Sequence, residues 1–181
     1  MPELPEVETG ARLIRPRLVG RRVVACDVRW RRPLGGPSIA SFARGVVGAR
    51  FAEISRRGKF VVMRLEPAGW LVGHLRMTGR MHVESAGWDP GPFGKVRLDL
   101  DDGNAFHFVD VRKFGRLWHT RDASELLGQL GPEPLGRDFT PDWLFDALRS
   151  RRLRLKPLLL DQTFLAGLGN IYADESLFRA R

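Results

Sequence analysis

Between Leu4 and Leu18, apolar residues recur at steps of three and four: Leu4, Val7, Ala11, Ile14 and Leu18. That period lays one apolar stripe along a helix. Pro5 fits the first turn, where a missing N–H costs nothing. Glu3, Glu6 and Glu8 favour the positive end of the helix dipole, and Gly20 follows the last apolar position as a stop signal. The pattern then shortens. Runs of β-branched and apolar residues predict strands near 22–30, 47–55, 59–66, 70–76, 80–85, 94–101, 104–110 and 115–119. The breaks are turn-like: Arg57-Gly58, Pro67-Ala68-Gly69, the run GWDPGPFG and Asp102-Gly103-Asn104. Asp-Gly between two apolar runs is a hairpin signal. Many short, closely spaced strands imply an antiparallel sandwich or barrel.

Beyond residue 120 the helical period returns. Helices are predicted over 122–130, 140–151, 154–162 and 170–180, with Leu144, Ala147 and Leu148 facing inward on the second. GPEPLG (131–136) reads as a linker or tight turn, and AGLGN (166–170) joins the last two helices. The expected fold class is therefore α+β. An N-terminal helix and an antiparallel β-sandwich of about eight strands occupy 1–130, and a helical domain occupies 131–181.

Composition narrows the partner. The chain has 181 residues, 43% of them hydrophobic, and a net charge of +9. That is enough for one good core, or one domain plus a smaller second. The charge makes a polyanion the leading partner, although charge alone leaves a basic protein without such a partner equally open. Most of the basic residues are Arg, whose planar fork suits phosphates and base edges. Cys26 is the only cysteine, which excludes an intrachain disulfide and a four-cysteine zinc site within this chain. His74, His82, His107 and His119 show no metal-ligand spacing, and His74 and His107 sit in strand-like runs as core or hydrogen-bonding residues. The opening MPELPEVETG is acidic and lacks the apolar run of a signal peptide, and no apolar stretch approaches a membrane span. A soluble intracellular protein is expected.

The opening tripeptide carries chemistry of its own. Methionine is normally removed when a small residue such as proline follows, and this exposes a secondary amine at Pro2. Such an amine can attack an electrophilic sugar carbon, and the iminium it forms is an electron sink. Glu3 stands beside it to shuttle protons. Read alone, MPE is equally an ordinary helix start.

Further motifs accompany it in order: MPELPEVET, RRGKF (56–60), HLRMTG (74–79), DVRKFG (110–115), LGPEPL (130–135) and LKPLLLDQTFLAGLGNIYADESLF (155–178). With these the chain resembles the formamidopyrimidine-DNA glycosylases across essentially its whole length. The resemblance implies that Pro2 is the nucleophile at C1′ of a damaged nucleotide, Glu3 the general acid that opens the sugar ring, and Glu6 a supporting residue. It implies that Lys59 contacts the phosphate beside the lesion and aids strand cleavage. Met77, Arg112 and Phe114 match the three residues that fill the gap left by a flipped-out base, with Arg112 pairing the estranged cytosine. AGLGN matches a helix–two-turn–helix in which Asn170 and Lys156 face DNA. Lys95 falls at a phosphate-binding position, and RSRRLRLK (149–156) borders DNA. Taken singly, these features also read as a basic hairpin, core residues, a helix connection and a solvated charged face.

The implied activity is base-excision repair of oxidised purines, 8-oxoguanine and formamidopyrimidines, by a bifunctional glycosylase and AP lyase. It proceeds through a Schiff base at Pro2, then β,δ-elimination, without a metal. The implied partner is double-stranded DNA with oxidised bases or abasic sites. The protein is expected to be a monomer in a bacterial cytoplasm, associated with the nucleoid. Family members continue past the helix–two-turn–helix to more helices and usually a zinc finger with four cysteines. The resemblance is therefore to a shortened member with weaker, salt-sensitive binding. Three other readings remain: a non-catalytic damaged-DNA-binding homologue, an endonuclease VIII-like glycosylase for oxidised pyrimidines, and a basic ribosomal-type protein. Leu4 and the Met77, Arg112 and Phe114 set speak for the purine enzyme over the pyrimidine one. A ribosomal role leaves MPELPEVE unexplained.

Overall fold

The stripe from Leu4 to Leu18 forms the helix it predicts. In the computed structural model, which describes residues 2–36 and 38–181, helix α1 spans Leu4–Leu18 and buries all five stripe residues. Its N-cap is Glu3, whose backbone N–H donates to the Glu6 carboxylate at 2.9 Å. That contact satisfies a donor the helix leaves free. The chain leaves the helix through Gly20, at φ 89°.

Eight strands follow: β1 (Val23–Val28), β2 (Arg50–Arg57), β3 (Phe60–Glu66), β4 (Gly69–His74), β5 (Gly79–Ser85), β6 (Gly94–Leu100), β7 (Asn104–Asp110) and β8 (Arg116–Thr120). They make two antiparallel four-stranded sheets, in the orders β1-β6-β7-β5 and β2-β3-β4-β8. Val83, Leu98, Phe106 and Phe108 of the first sheet join Phe51, Met63, Leu71 and Leu117 of the second in one core. The buried face of α1 completes it, packed against β2, β3 and β5.

Each expected strand is present, with ends that move by at most three residues. The run 47–55 starts late because Val47 caps helix α2 (Ile39–Val46) and Gly48 turns the chain. The sequence reading missed α2. Ser38 caps it by accepting from the Ser41 N–H at 3.0 Å, and only Phe42 and Val46 anchor it. Two apolar residues four apart are too short a pattern to separate from a loop.

The later helices are α3 (Ser124–Leu127), α4 (Pro141–Arg149), α5 (Leu155–Leu160) and α6 (Asn170–Ala180). Of these α3 is one turn only, less than the expected 122–130. A second cluster gathers Leu158, Leu159, Phe164, Leu165 and Ala173, with Leu144, Ala147 and Leu148 packed against it. Residues 131–136 are firmly held between the two clusters. Gly131 N–H donates to the Gln162 carbonyl at 2.9 Å, and Ala166 N–H to the Pro132 carbonyl at 3.0 Å. Glu133 accepts from Arg56 at 2.7 Å and Arg57 at 3.1 Å, and from the Gly58 N–H at 2.5 Å. The β2–β3 turn is thereby bound to the helical half.

Candidate active site

The N-terminus of the chain meets the N-terminus of α6. Glu3 is only 2% exposed, although it is a carboxylate. A buried charge needs partners, and the backbone supplies them. The Glu3 carboxylate accepts from the N–H groups of Gly169 at 2.8 Å, Ile171 at 2.9 Å and Tyr172 at 3.2 Å. These donors are the ones a helix leaves unsatisfied at its start, where the dipole also favours negative charge. Leu4 N–H donates to the Gly167 carbonyl at 3.1 Å, so the AGLGN turn grips residues 3 and 4 together. Pro2, half-buried, immediately precedes this anchor.

Glycine is required at two places in that turn. Gly167 has φ 102°, and a Cβ there would lie 2.8 Å from a Leu4 methyl. A Cβ on Gly169 would lie 2.4 Å from the Glu3 carboxyl carbon. Gln162 braces the turn: its amide donates to the Leu160 and Leu168 carbonyls at 2.8 and 2.9 Å and accepts from Gly167 N–H at 2.9 Å.

Lys59 approaches the same place from the β2–β3 turn. It is buried, and burial pulls its ammonium below the ordinary lysine range; the Glu3 carboxylate opposes this, and Arg76 adds to it. His74, at the end of β4, is also buried, and its pKa is pushed down to about 3, by desolvation first and then by the charges of Arg76 and Lys59. A neutral His74 ring accepts the Arg76 N–H at Nδ1, 3.0 Å away. Glu3, Lys59, His74 and Arg76 therefore form one electrostatic neighbourhood behind Pro2. Glu6 is exposed and reaches it through the Glu3 backbone alone.

Met77, Arg112 and Phe114 stand on two loops that leave adjacent strand ends, since Gly79 of β5 pairs with Asp110 of β7. Met77 is 43% exposed and Phe114 42%, so neither belongs to the core. The Arg112 guanidinium lies 5.0 Å from the Phe114 ring centroid, and Lys113 lies 4.0 Å from that of Trp30. Arg76 and Lys113 have φ of 56° and 60°. Left-handed backbone at a side-chain-bearing residue costs about 1 kcal/mol or more, so both loops are held in place by their surroundings.

The DNA-facing set divides. Asn170 is exposed as the first residue of α6. Lys156 on α5 is part-exposed and paired with Asp174 of α6 at 2.6 Å. Lys95 is withdrawn from the surface: it is 3% exposed, and its Nζ donates to the Pro92 carbonyl at 2.8 Å. Lys95 falls at the register shift of β6 between Gly94 and Val96, where its ammonium is turned back toward the Pro92 carbonyl.

Four residues were not singled out by sequence reading. Asp110 and Thr78 lie inside quoted motifs, and an Asp followed two residues later by a turn is an Asx-turn signal. Glu133 acts on partners that only the fold brings near, whereas Gln162 braces residues within six positions of itself. Among the described residues, no group of three or more His, Cys, Asp or Glu is placed to hold a metal. Cys26 is the only cysteine of the sequence, so a four-cysteine zinc site has no ligand set within these 181 residues. No helix of the described residues is long and apolar enough to cross a membrane.

Residues 1–117 match the family model for the formamidopyrimidine-DNA glycosylase N-terminal domain, and residues 130–181 match the model for the H2TH domain of the same enzymes. A formamidopyrimidine-DNA glycosylase of Protochlamydia amoebophila is 39% identical over 182 residues, covering 100% of this chain and 66% of that protein. One from Pelotomaculum thermopropionicum is 43% identical, covering 100% and 67%. The chain thus spans about two thirds of the length of these relatives. Among solved structures, the Lactococcus lactis Fpg in complex with abasic-site-containing DNA superimposes with a TM-score of 0.88 at 31% identity, covering 97% of this chain and 65% of that one. An inhibited form with DNA containing N7-benzyl-Fapy-dG gives 0.90 at 31% identity, covering 98% and 67%.

Proposed function

Because this chain belongs to the formamidopyrimidine-DNA glycosylase family, we propose that it excises oxidised purines from double-stranded DNA and cleaves the strand at the resulting site. The observation that carries this reading is the burial of Glu3 in the start of α6, with Lys59 beside it and Pro2 one residue away. A helix start alone would leave Glu3 in water. Here a turn 166 positions further along the chain returns to hold it.

With Met1 removed, the Pro2 amine attacks C1′ of the damaged nucleotide. A new N–C1′ bond forms as the bond from C1′ to the base breaks and the base leaves; the proton released by the Pro2 nitrogen passes to the Glu3 carboxylate, which delivers it to O4′ as the C1′–O4′ bond opens. The resulting iminium makes the C2′ hydrogens acidic. Loss of one expels the 3′ phosphate, and a second elimination expels the 5′ phosphate. Lys59 neutralises the phosphate beside the lesion, and a lowered ammonium pKa suits it to proton transfer as well. Glu6 supports the site by fixing the Glu3 backbone.

Reaching C1′ requires the nucleotide to leave the stack, which costs a few kcal/mol, about. Met77, Phe114 and Arg112 take the vacated space, and Arg112 offers donors to the estranged cytosine. Asn170 and Lys156 engage the backbone, with Lys156 exchanging Asp174 for a phosphate. The substrates are 8-oxoguanine and formamidopyrimidines, and abasic sites enter at the lyase step. The protein works as a monomer on nucleoid DNA in a bacterial cytoplasm, and the amine chemistry itself calls for no metal or cofactor.

Borohydride trapping on duplexes carrying one 8-oxoguanine, one oxidised pyrimidine or none tests the reading. A covalent adduct with the purine lesion is expected. An adduct favouring the pyrimidine lesion transfers the function to the endonuclease VIII class. Tight duplex binding without any adduct points to a non-catalytic binder.

A further inference from the structure

Asp110 is completely buried at the end of β7, and its carboxylate serves both exposed loops. One oxygen, Oδ1, accepts the Thr78 hydroxyl from the first loop and the Arg112 N–H from the second, at 3.2 Å. The other, Oδ2, accepts the Gly115 N–H at 2.7 Å. Thr78 adds a direct link, since its hydroxyl oxygen also accepts the Arg112 N–H at 3.0 Å. The side chains these contacts flank are Met77, Arg112 and Phe114. Arg76 and Lys113, the left-handed residues, lie within three positions of Thr78 and Asp110.

A surface loop rarely needs a buried carboxylate. Charges of this kind are costly unless every lone pair finds a donor, and Asp110 finds three. The buried Lys95 ammonium lies in its field: burial and Lys113 lower the Lys95 pKa, and Asp110 raises it.

We infer that Asp110, with Thr78, is a positioning residue that locks the two loops into one unit, so that Met77, Arg112 and Phe114 enter the DNA stack together. The inference rests on the proposed base-flipping function for its consequence, but the lock itself is a property of the free protein. Without it, each wedge would have to order its own loop at the moment of insertion, and the entropy of that ordering would weaken insertion.

The test uses the full chain as Thr78→Val, which keeps shape and removes one hydroxyl, and as Asp110→Asn, which turns an amide N–H₂ toward a backbone donor. In the free protein, hydrogen exchange at the Arg112 amide should rise about tenfold in Thr78→Val, in line with loss of a charge-assisted hydrogen-bond relay, while exchange in β3 stays at the wild-type rate. Unchanged exchange at Arg112, or an equal rise in β3, overturns the lock. On DNA, single-turnover excision from an 8-oxoguanine duplex should fall about tenfold, and cleavage of a single-stranded abasic oligonucleotide, which has no stack to fill, by much less. Equal losses on both substrates overturn the positioning role. Wild-type protein inactive on both would refute the proposed function, and the exchange result would still decide the lock.

Discussion

The Glu3 pocket and the pair of exposed loops are built in opposite ways. In the pocket the side chains proposed to react are buried. Glu3 and Lys59 are 2% and 6% exposed, and Glu3 is saturated with backbone donors. In the loops the working side chains, Met77 and Phe114, are left uncovered, and it is the bracing carboxylate of Asp110 that is buried. The difference suits the two tasks proposed for them. Bond-making needs atoms fixed in a low-dielectric setting, where each charge acts strongly. Filling a gap in a base stack needs apolar surface that is free until DNA arrives, on a backbone that is not. In the pocket the polar groups are buried; in the loops the apolar side chains are exposed and the carboxylate beneath them is buried.

The comparison breaks most sharply at Glu3. Glu3→Gln should lower single-turnover excision by about a hundredfold or more, as loss of a general acid does, with duplex affinity nearly unchanged in a filter-binding assay. Gly169→Ala should come next, because a Cβ 2.4 Å from the Glu3 carboxyl must displace it; a loss of about 1–3 kcal/mol in thermal or denaturant stability is expected along with the activity. Wild-type turnover in that variant would separate Glu3 from its helix anchor.

The pocket should also be acid-sensitive in a defined sense. His74 titrates near 3 when folded and near 6.5 when unfolded. Between those values the unfolded chain binds a proton that the folded chain refuses, so stability falls as the pH falls from 6.5 toward 3. The contribution of one such group is at most about 1.4 kcal/mol per pH unit. The stability of His74→Gln, followed by denaturation, should accordingly fall less steeply with acid than that of the wild type over that window. The smallest effect belongs to Lys156→Ala. Its ion pair with Asp174 is part-exposed, so stability should change by less than about 1 kcal/mol, while the slope of log affinity against log salt drops by about one.

Sequence legibility followed the same division. The α1 stripe, the eight strands and the α6 boundaries were readable because each repeats a period within its own segment. Helix α2 was not, since Phe42 and Val46 alone make no period. Candidate residues near the N-terminus became recognisable only with the distant motifs, because Pro2 and Glu3 suit any helix start. The bracing groups were harder still. Glu133 meets Arg56 and Arg57 across 77 and 76 residues, and Gly169 meets Glu3 across 166, separations that no local pattern encodes.

The central claim is that the amine of Pro2 does the chemistry, with Glu3 and Lys59 as its partners. Peptide mapping of the borohydride-reduced adduct tests it most directly. The account predicts that the sugar remnant is carried by an N-terminal peptide that begins at Pro2. An adduct on Lys59, or a trapped protein that still carries Met1, would contradict it.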